Sequence, residues 1–209
     1  MLWDLPTRLF HWLLVIAVVA SWISVELEEM TLHQWAGYAV MTLVIFRLGW
    51  GIWGSRSARF STFIRSPVTV IKYLKGAPIS YLGHNPAGGL SVMALLGLLI
   101  TQVSTGLFSH DEVLFEAPFF PLVSEETANF LGEIHEISFN LLLLMVGLHL
   151  GAIAWHKKFK HTNLIIPMLT GGKAKDNPLV SVWIAIIWFA IAIGLVVGLL
   201  SLAPVVEYY

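Results

Sequence analysis

Histidine is the residue with chemistry to offer in this 209-residue chain: there are eight, and there is no cysteine. The missing thiols exclude disulfides, iron–sulfur clusters, thiolate zinc sites, covalent CxxCH haem attachment and thiol nucleophiles together. Metal or redox chemistry must therefore rest on imidazoles, carboxylates or a cofactor held without a covalent bond. Two of the histidines, His135 and His149, are 14 residues apart in a long apolar stretch. At a helical rise of about 1.5 Å and about 100° per residue they lie roughly 21 Å apart along the axis and roughly 40° apart around it. They share one face at two depths, which suits two separate two-ligand sites.

The elements that must position such sites are membrane spans. The chain is 57% hydrophobic and 12% charged, against about 25% charged in an ordinary soluble domain. Five mostly apolar stretches of roughly the 20 residues that cross a bilayer run from about 5 to 25, 32 to 53, 89 to 108, 135 to 156 and 179 to 203. The last runs from Leu179 to Ala203 without a charge before Pro204 ends it. Arg8 ahead of an apolar run also fits a signal peptide, but no A-x-A cleavage site follows before Glu26. The expected fold class is all-α: one integral membrane bundle of five transmembrane helices, with no soluble module able to hold an active site by itself.

Lys and Arg collect on the cytoplasmic side of short loops. With the N-terminus cytoplasmic and the C-terminus periplasmic, all 12 basic residues, Lys175 among them, fall at the inner ends of spans. Only Asp4 and Asp176 among the 13 acids join them; the rest, including Glu26, Asp111, Glu112, Glu116, Glu125 and Glu126, face out. The expected location is the bacterial inner membrane, multi-pass, with membrane lipid as partner and no nucleic acid. The inner loop from about 54 to 88 allows a short interfacial helix around Val68 to Lys75. The outer loop from about 109 to 134 is acidic and interrupted by Pro118 and Pro121.

In this topology His11 sits near the cytoplasmic side, level with His149, and His33 near the outer side, level with His135. Intramembrane histidines are costly without a partner, and two stacked His–His pairs match bis-imidazole ligation of two non-covalent b-type haems. His110, at the outer end of span three, competes with His33. Gly37, one turn after His33, would let a flat macrocycle approach the backbone. Arg8 and Arg47 each either pair with a haem propionate or snorkel to the inner surface. His156 either exchanges protons with a quinone or contacts a propionate, or is an interfacial residue beside Trp155 and Lys157. His84 and His161 read as solvated. Gly147-x3-Gly151 and Gly194-x3-Gly198 read as close helix packing. Trp3, Trp35, Trp53, Trp155 and Trp183 read as interfacial belt residues. Ser138, Phe139, Leu142 and Val146 lie on the stretch between the two depths.

The segments Trp3-Asp4-Leu5-Pro6-Thr7-Arg8-Leu9-Phe10-His11-Trp12, His33 with Gly37-Tyr38, Arg47-Leu48-Gly49-Trp50-Gly51-Ile52-Trp53-Gly54 and Ala58-Arg59-Phe60 are joined by Gly83-His84-Asn85-Pro86-Ala87-Gly88-Gly89, Thr105-Gly106-Leu107, and His135-Glu136 through His149. In this order and spacing the chain resembles the prokaryotic cytochrome b561 and nickel–iron hydrogenase b-type cytochrome subunit family. The resemblance implies a single dihaem membrane cytochrome b domain over residues 1–209, with His11 and His149 on the inner haem and His33 and His135 on the outer one. It implies electron transfer between the quinone pool and a periplasmic partner, either a c-type cytochrome or a hydrogenase-like subunit, as a subunit of an oxidoreductase system. A stand-alone quinone-linked oxidoreductase acting on a small oxidant such as superoxide at the outer haem is the alternative. A His-lined transporter is a third.

Overall fold

A computed structural model describes residues 2–110, 115–173 and 177–204. Asp111, Glu112, Lys175, Asp176 and the last five residues, which bear on the expected charge sorting and the C-terminal orientation, lie outside the described residues. The described residues are helical with no strand. The helices are α1 (Leu5–Glu26), α2 (Met30–Trp53), α3 (Phe60–Phe63), α4 (Pro67–Leu74), α5 (Pro86–Gly106), α6 (Glu125–Phe159), α7 (Ile165–Thr170) and α8 (Val182–Leu200). Five of these, α1, α2, α5, α6 and α8, are long and apolar enough to cross a membrane.

The helix starts follow from local chemistry. Asp4 caps α1 by accepting from Thr7 N–H at 2.8 Å, with Pro6 in the first turn, where its missing N–H costs nothing. Asn85 caps α5 in the same way through Gly88 N–H at 2.7 Å, followed by Pro86. Ser124 caps α6, with Glu125 and Glu126 in the first turn, where the helix dipole favours negative charge. That cap corrects the expected loop. The fourth span begins at Glu125 rather than about 135, so ten residues of the acidic stretch are helical. At 35 residues α6 is roughly 52 Å long and projects beyond a hydrocarbon core of about 30 Å. A hydropathy reading misses this turn-by-turn polar extension because it is fixed by a cap, not by apolar content. The short helix expected around Val68 to Lys75 is α4.

All described Lys and Arg lie at one end of the bundle, the basic end, where α1, α5 and α8 begin and α2 and α6 finish. The opposite, acidic end carries exposed Glu28, Glu29, Glu116, Glu125, Glu126, Glu133 and Glu136. Helix α2 is central: it packs on α1, α5 and α8, while α6 makes its close backbone contact with α5. The core joins Phe10, Leu43, Phe46, Trp50, Leu96 and Leu142. Close helix approach occurs at Gly49, where a Cβ would fall 1.9 Å from the Trp188 ring of α8; Trp188 Nε1 donates to Phe46 O at 2.9 Å. It does not occur where the spacing of small residues suggested it. A Cβ on Gly147, Gly151, Gly194 or Gly198 meets nothing within 4 Å, so both pairs lie on open faces of their helices.

The basic end is closed by chain segments far apart in sequence. Helix α7 folds against the start of α1: Arg8 Nη1 donates to Leu169 O, Trp12 Nε1 to Met168 O and Trp3 N–H to Gly171 O. Asn177 Oδ1 accepts from the Ser57 amide at 3.1 Å, and its Nδ2 donates to Leu2 O at 3.2 Å. Trp3 is therefore buried, at 7% exposure, and is not a belt residue. Trp35, Trp53, Trp155 and Trp183 are exposed as a belt requires.

Candidate functional site: histidines at the two ends of the bundle

At the acidic end, His33 near the start of α2 faces His135 on α6, with ring centroids 6.2 Å apart and planes at 75°. Each ring is fixed by its Nδ1. That of His33 donates to Ser21 O at 2.9 Å, with Ser21 Oγ at 3.1 Å. That of His135 donates to Gln102 O at 3.0 Å, with Thr105 Oγ1 at 3.2 Å. Donation of one ring nitrogen to a carbonyl leaves the other as a lone-pair base, the tautomer a metal needs. Two imidazoles so oriented would hold a metal-centred cofactor placed between them, and that cofactor would supply one-electron chemistry. The Gln102 amide, held by Ser138 Oγ, lies 3.2 Å from His135 Nε2 and would have to turn aside for a metal to use that nitrogen.

Two glycines shape this end. A Cβ on Gly106 would fall 2.9 Å from His135 Cε1, so glycine lets α5 pass close beside the ring. A Cβ on Gly37 meets nothing within 4 Å, and a flat ligand beside His33 has room against that backbone. His110 is placed elsewhere: its Nε2 is 2.8 Å from Asn129 Oδ1 and its ring packs on Phe120 at 4.6 Å. It is not brought to His135.

The basic end holds His11, early on α1, and His149, late on α6. His11 packs edge-on against Trp12 at 5.0 Å, and its Nδ1 is enclosed with no partner. Arg47 is buried at 3% exposure rather than snorkelling. Its Nη2 donates to Ala58 O at 3.1 Å, its guanidinium lies over Phe60 at 4.8 Å, and its Nη1 has no partner. Arg8 spends Nη1 on Leu169 O, and its Nε is enclosed and unpartnered. His156 donates from Nδ1 to Ala152 O at 2.9 Å and accepts at Nε2 from the Asn85 amide at 3.4 Å. The structure thus brings His11, His149 and Arg47 to one end with Arg8 and His156 beside them, and His33, His135 and Gly37 to the other.

His84 is corrected. It is not solvated but wedged between Trp3 and Phe63, with ring centroids 4.7 Å from each and Nδ1 enclosed without a partner. Burial, helped by the charges of Arg47, His149 and His11, pushes its pKa down to about 3, so it is a neutral imidazole at ordinary pH. Its sequence signals are its place in the Gly83–Gly89 segment and before the Asn85-Pro86 helix start, where an inner loop and a buried plug look alike. His161, by contrast, is exposed.

The residues fit a two-ligand macrocyclic cofactor better than a bare ion. Among the described residues no three of His, Cys, Asp and Glu converge on one point, as a protein-only metal site requires. The enclosed nitrogens of Arg47 and His84 at the basic end suit an anionic substituent. A family model described as prokaryotic cytochrome b561 matches residues 2–171. Comparison with curated proteins and with solved structures gives no match.

Proposed function

The chain belongs to the prokaryotic cytochrome b561 family, and from that premise we propose that it carries electrons across the bacterial inner membrane between the quinone pool and a periplasmic redox partner, through two b haems. Membership makes it a multi-pass membrane protein that binds b-type haem, transfers electrons and meets lipid and redox partners. The observation that carries the finer reading is the acidic-end pair: two imidazoles from different helices, 6.2 Å apart, both tied to carbonyls through Nδ1.

In this reading His33 and His135 hold the outer haem, and His11 and His149 the inner one, with the basic end in the cytoplasm. Haem b so held supplies one-electron chemistry whose potential the protein tunes by axial ligands, charge and burial. Ser21 O and Gln102 O orient the outer ligands. Gly37 leaves room for the ring. Arg47, with Nη1 free, is the better propionate partner; Arg8 has its fork on α7. His156, its Nε2 turned to the Asn85 amide, is placed to pass a proton between a quinone and the cytoplasmic boundary. The exposed glutamates at the outer end favour a cationic protein partner such as a Lys-rich c-type cytochrome and repel an anionic oxidant such as superoxide.

The test is direct. Purified protein should be red, with two haems per chain by pyridine haemochrome assay. In liposomes charged with reduced quinone it should reduce external cationic cytochrome c at a rate that falls with salt. A colourless or single-haem preparation sinks this reading, and turnover of superoxide without a protein partner would favour the stand-alone oxidoreductase.

A further inference from the structure

Five buried side-chain polar atoms among the described residues lack a hydrogen-bond partner: Thr7 Oγ1, Arg8 Nε, His11 Nδ1, Arg47 Nη1 and His84 Nδ1. All five are at the basic end. Enclosed polar groups are normally satisfied, and the two arginine nitrogens among these can only donate, so the cluster marks a place where an acceptor belongs. Two of them meet at one side chain. The Arg47 guanidinium lies 5.9 Å from the Phe63 ring centroid and the His84 ring 4.7 Å from it, while Phe63 itself is 1% exposed.

We propose that His84 and Arg47 together form a carboxylate-binding corner that holds a propionate of the inner haem, with His84 as a cofactor-binding donor. The inference rests on the haem reading above. Arginine offers only donors, in a planar fork that matches a carboxylate. A neutral imidazole in the Nδ1–H tautomer adds one N–H without a second buried charge. Among the described residues the carboxylate at this end is Asp4, whose oxygens accept from Thr7 N–H at 2.8 Å and Trp50 Nε1 at 3.0 Å, while Arg47 Nη1 has no hydrogen-bond partner. The walls, Trp3, Phe10, Phe60 and Phe63, are aromatic and exclude water, which strengthens a charged hydrogen bond made between them. Arg47 follows His33 by the same 14 residues that separate His149 from His135, so register places the corner level with the inner ligands.

The test compares two variants of the haem-loaded protein in detergent. His84→Phe keeps the ring packed between Trp3 and Phe63 and removes the donor; His84→Asn returns an N–H near the Nδ1 position. The readouts are separate redox titrations of the two haems and the infrared bands of the haem carboxylates. His84→Phe should keep both haems, shift the carboxylate bands and lower the inner-haem potential, because a less neutralised carboxylate favours ferric iron. The outer-haem potential should not move, and His84→Asn should restore the inner one. If His84→Phe does not fold, Arg47→Gln reads the same corner with the same expected fall. Unchanged bands and potential in the variant that folds overturn the corner while leaving the two-haem function standing. An effect confined to binding of a quinone analogue would assign the corner to a quinone carbonyl and also overturn it. A wild-type protein without an inner haem overturns both readings.

Discussion

At the acidic end both paired imidazoles donate Nδ1–H to backbone carbonyls, Ser21 O at 2.9 Å and Gln102 O at 3.0 Å, whereas at the basic end His11 Nδ1 is enclosed without a partner. The acidic end completes its hydrogen bonding from the polypeptide alone and so orients its ligands before anything binds. The basic end instead gathers a buried cation, a neutral buried imidazole and several buried polar atoms without a hydrogen-bond partner. The difference has an electronic consequence. Donation from Nδ1 makes the imidazole a stronger donor to iron and stabilises the ferric state, while a nearby buried cation stabilises the reduced state. In the two-haem reading proposed above, the inner haem should therefore have the higher potential.

The strongest way to break this comparison is to remove a ligand from each end. His135→Ala should lose the outer haem and leave the inner spectrum, with haem content falling from two to one per chain; His149→Ala should do the reverse. If either variant loses both haems, the ends are one cooperative unit and the contrast fails. Next in size is Asp4→Ala. Asp4 is 2% exposed, caps α1 and accepts from Trp50 Nε1. Losing the cap and orphaning the indole together cost about 2–4 kcal/mol. Thermal unfolding in detergent should show the loss, with the inner haem released before the outer one. Simultaneous release would tie Asp4 to the whole bundle.

What could be read in the sequence was what local pattern encodes. Apolar run length gives the five spans, the 14-residue helical register puts His135 and His149 at two depths of one face, and the span topology gives the depth match that brings His33 to His135. Cap chemistry is also present in the sequence at Ser124 and its two glutamates, but in an acidic stretch hydropathy hides it. The environment of His84 was not legible at all. It depends on Trp3 and Phe63, 81 and 21 residues away, meeting only after α1 and α2 have packed. The glycines show the same limit. Gly147 and Gly151 form a familiar pattern on an open face, whereas Gly106, unremarkable by spacing, is where α5 passes His135.

Gly106 and Gly37 sharpen the account of the acidic end with a matched pair. Gly106→Ala puts a methyl 2.9 Å from His135 Cε1, so the ring must turn; overpacking of this kind typically costs about 1–3 kcal/mol. Outer-haem occupancy should fall, with the inner haem kept. Gly37→Ala meets no protein atom within 4 Å and should leave thermal stability of the haem-free chain unchanged. A drop in outer-haem occupancy in that variant would report the macrocycle's own approach to α2, and full occupancy would remove Gly37 from the site.

The smallest expected effect tests which acceptor governs the outer ligands. His33 Nδ1 lies 2.9 Å from Ser21 O and 3.1 Å from Ser21 Oγ. A single N–H cannot serve both fully, and the carbonyl is nearer and cannot be deleted by a side-chain change. Ser21→Ala should therefore leave the imidazole in the same tautomer and cost no more than about 0.5 kcal/mol, read as a slight shift in the outer-haem potential with both haems retained. A large shift, or loss of the outer haem, would mean that the hydroxyl rather than the backbone sets the ring. The acidic end would then depend on a replaceable side-chain contact, as the basic end does, and the contrast between the two ends would reduce to charge alone.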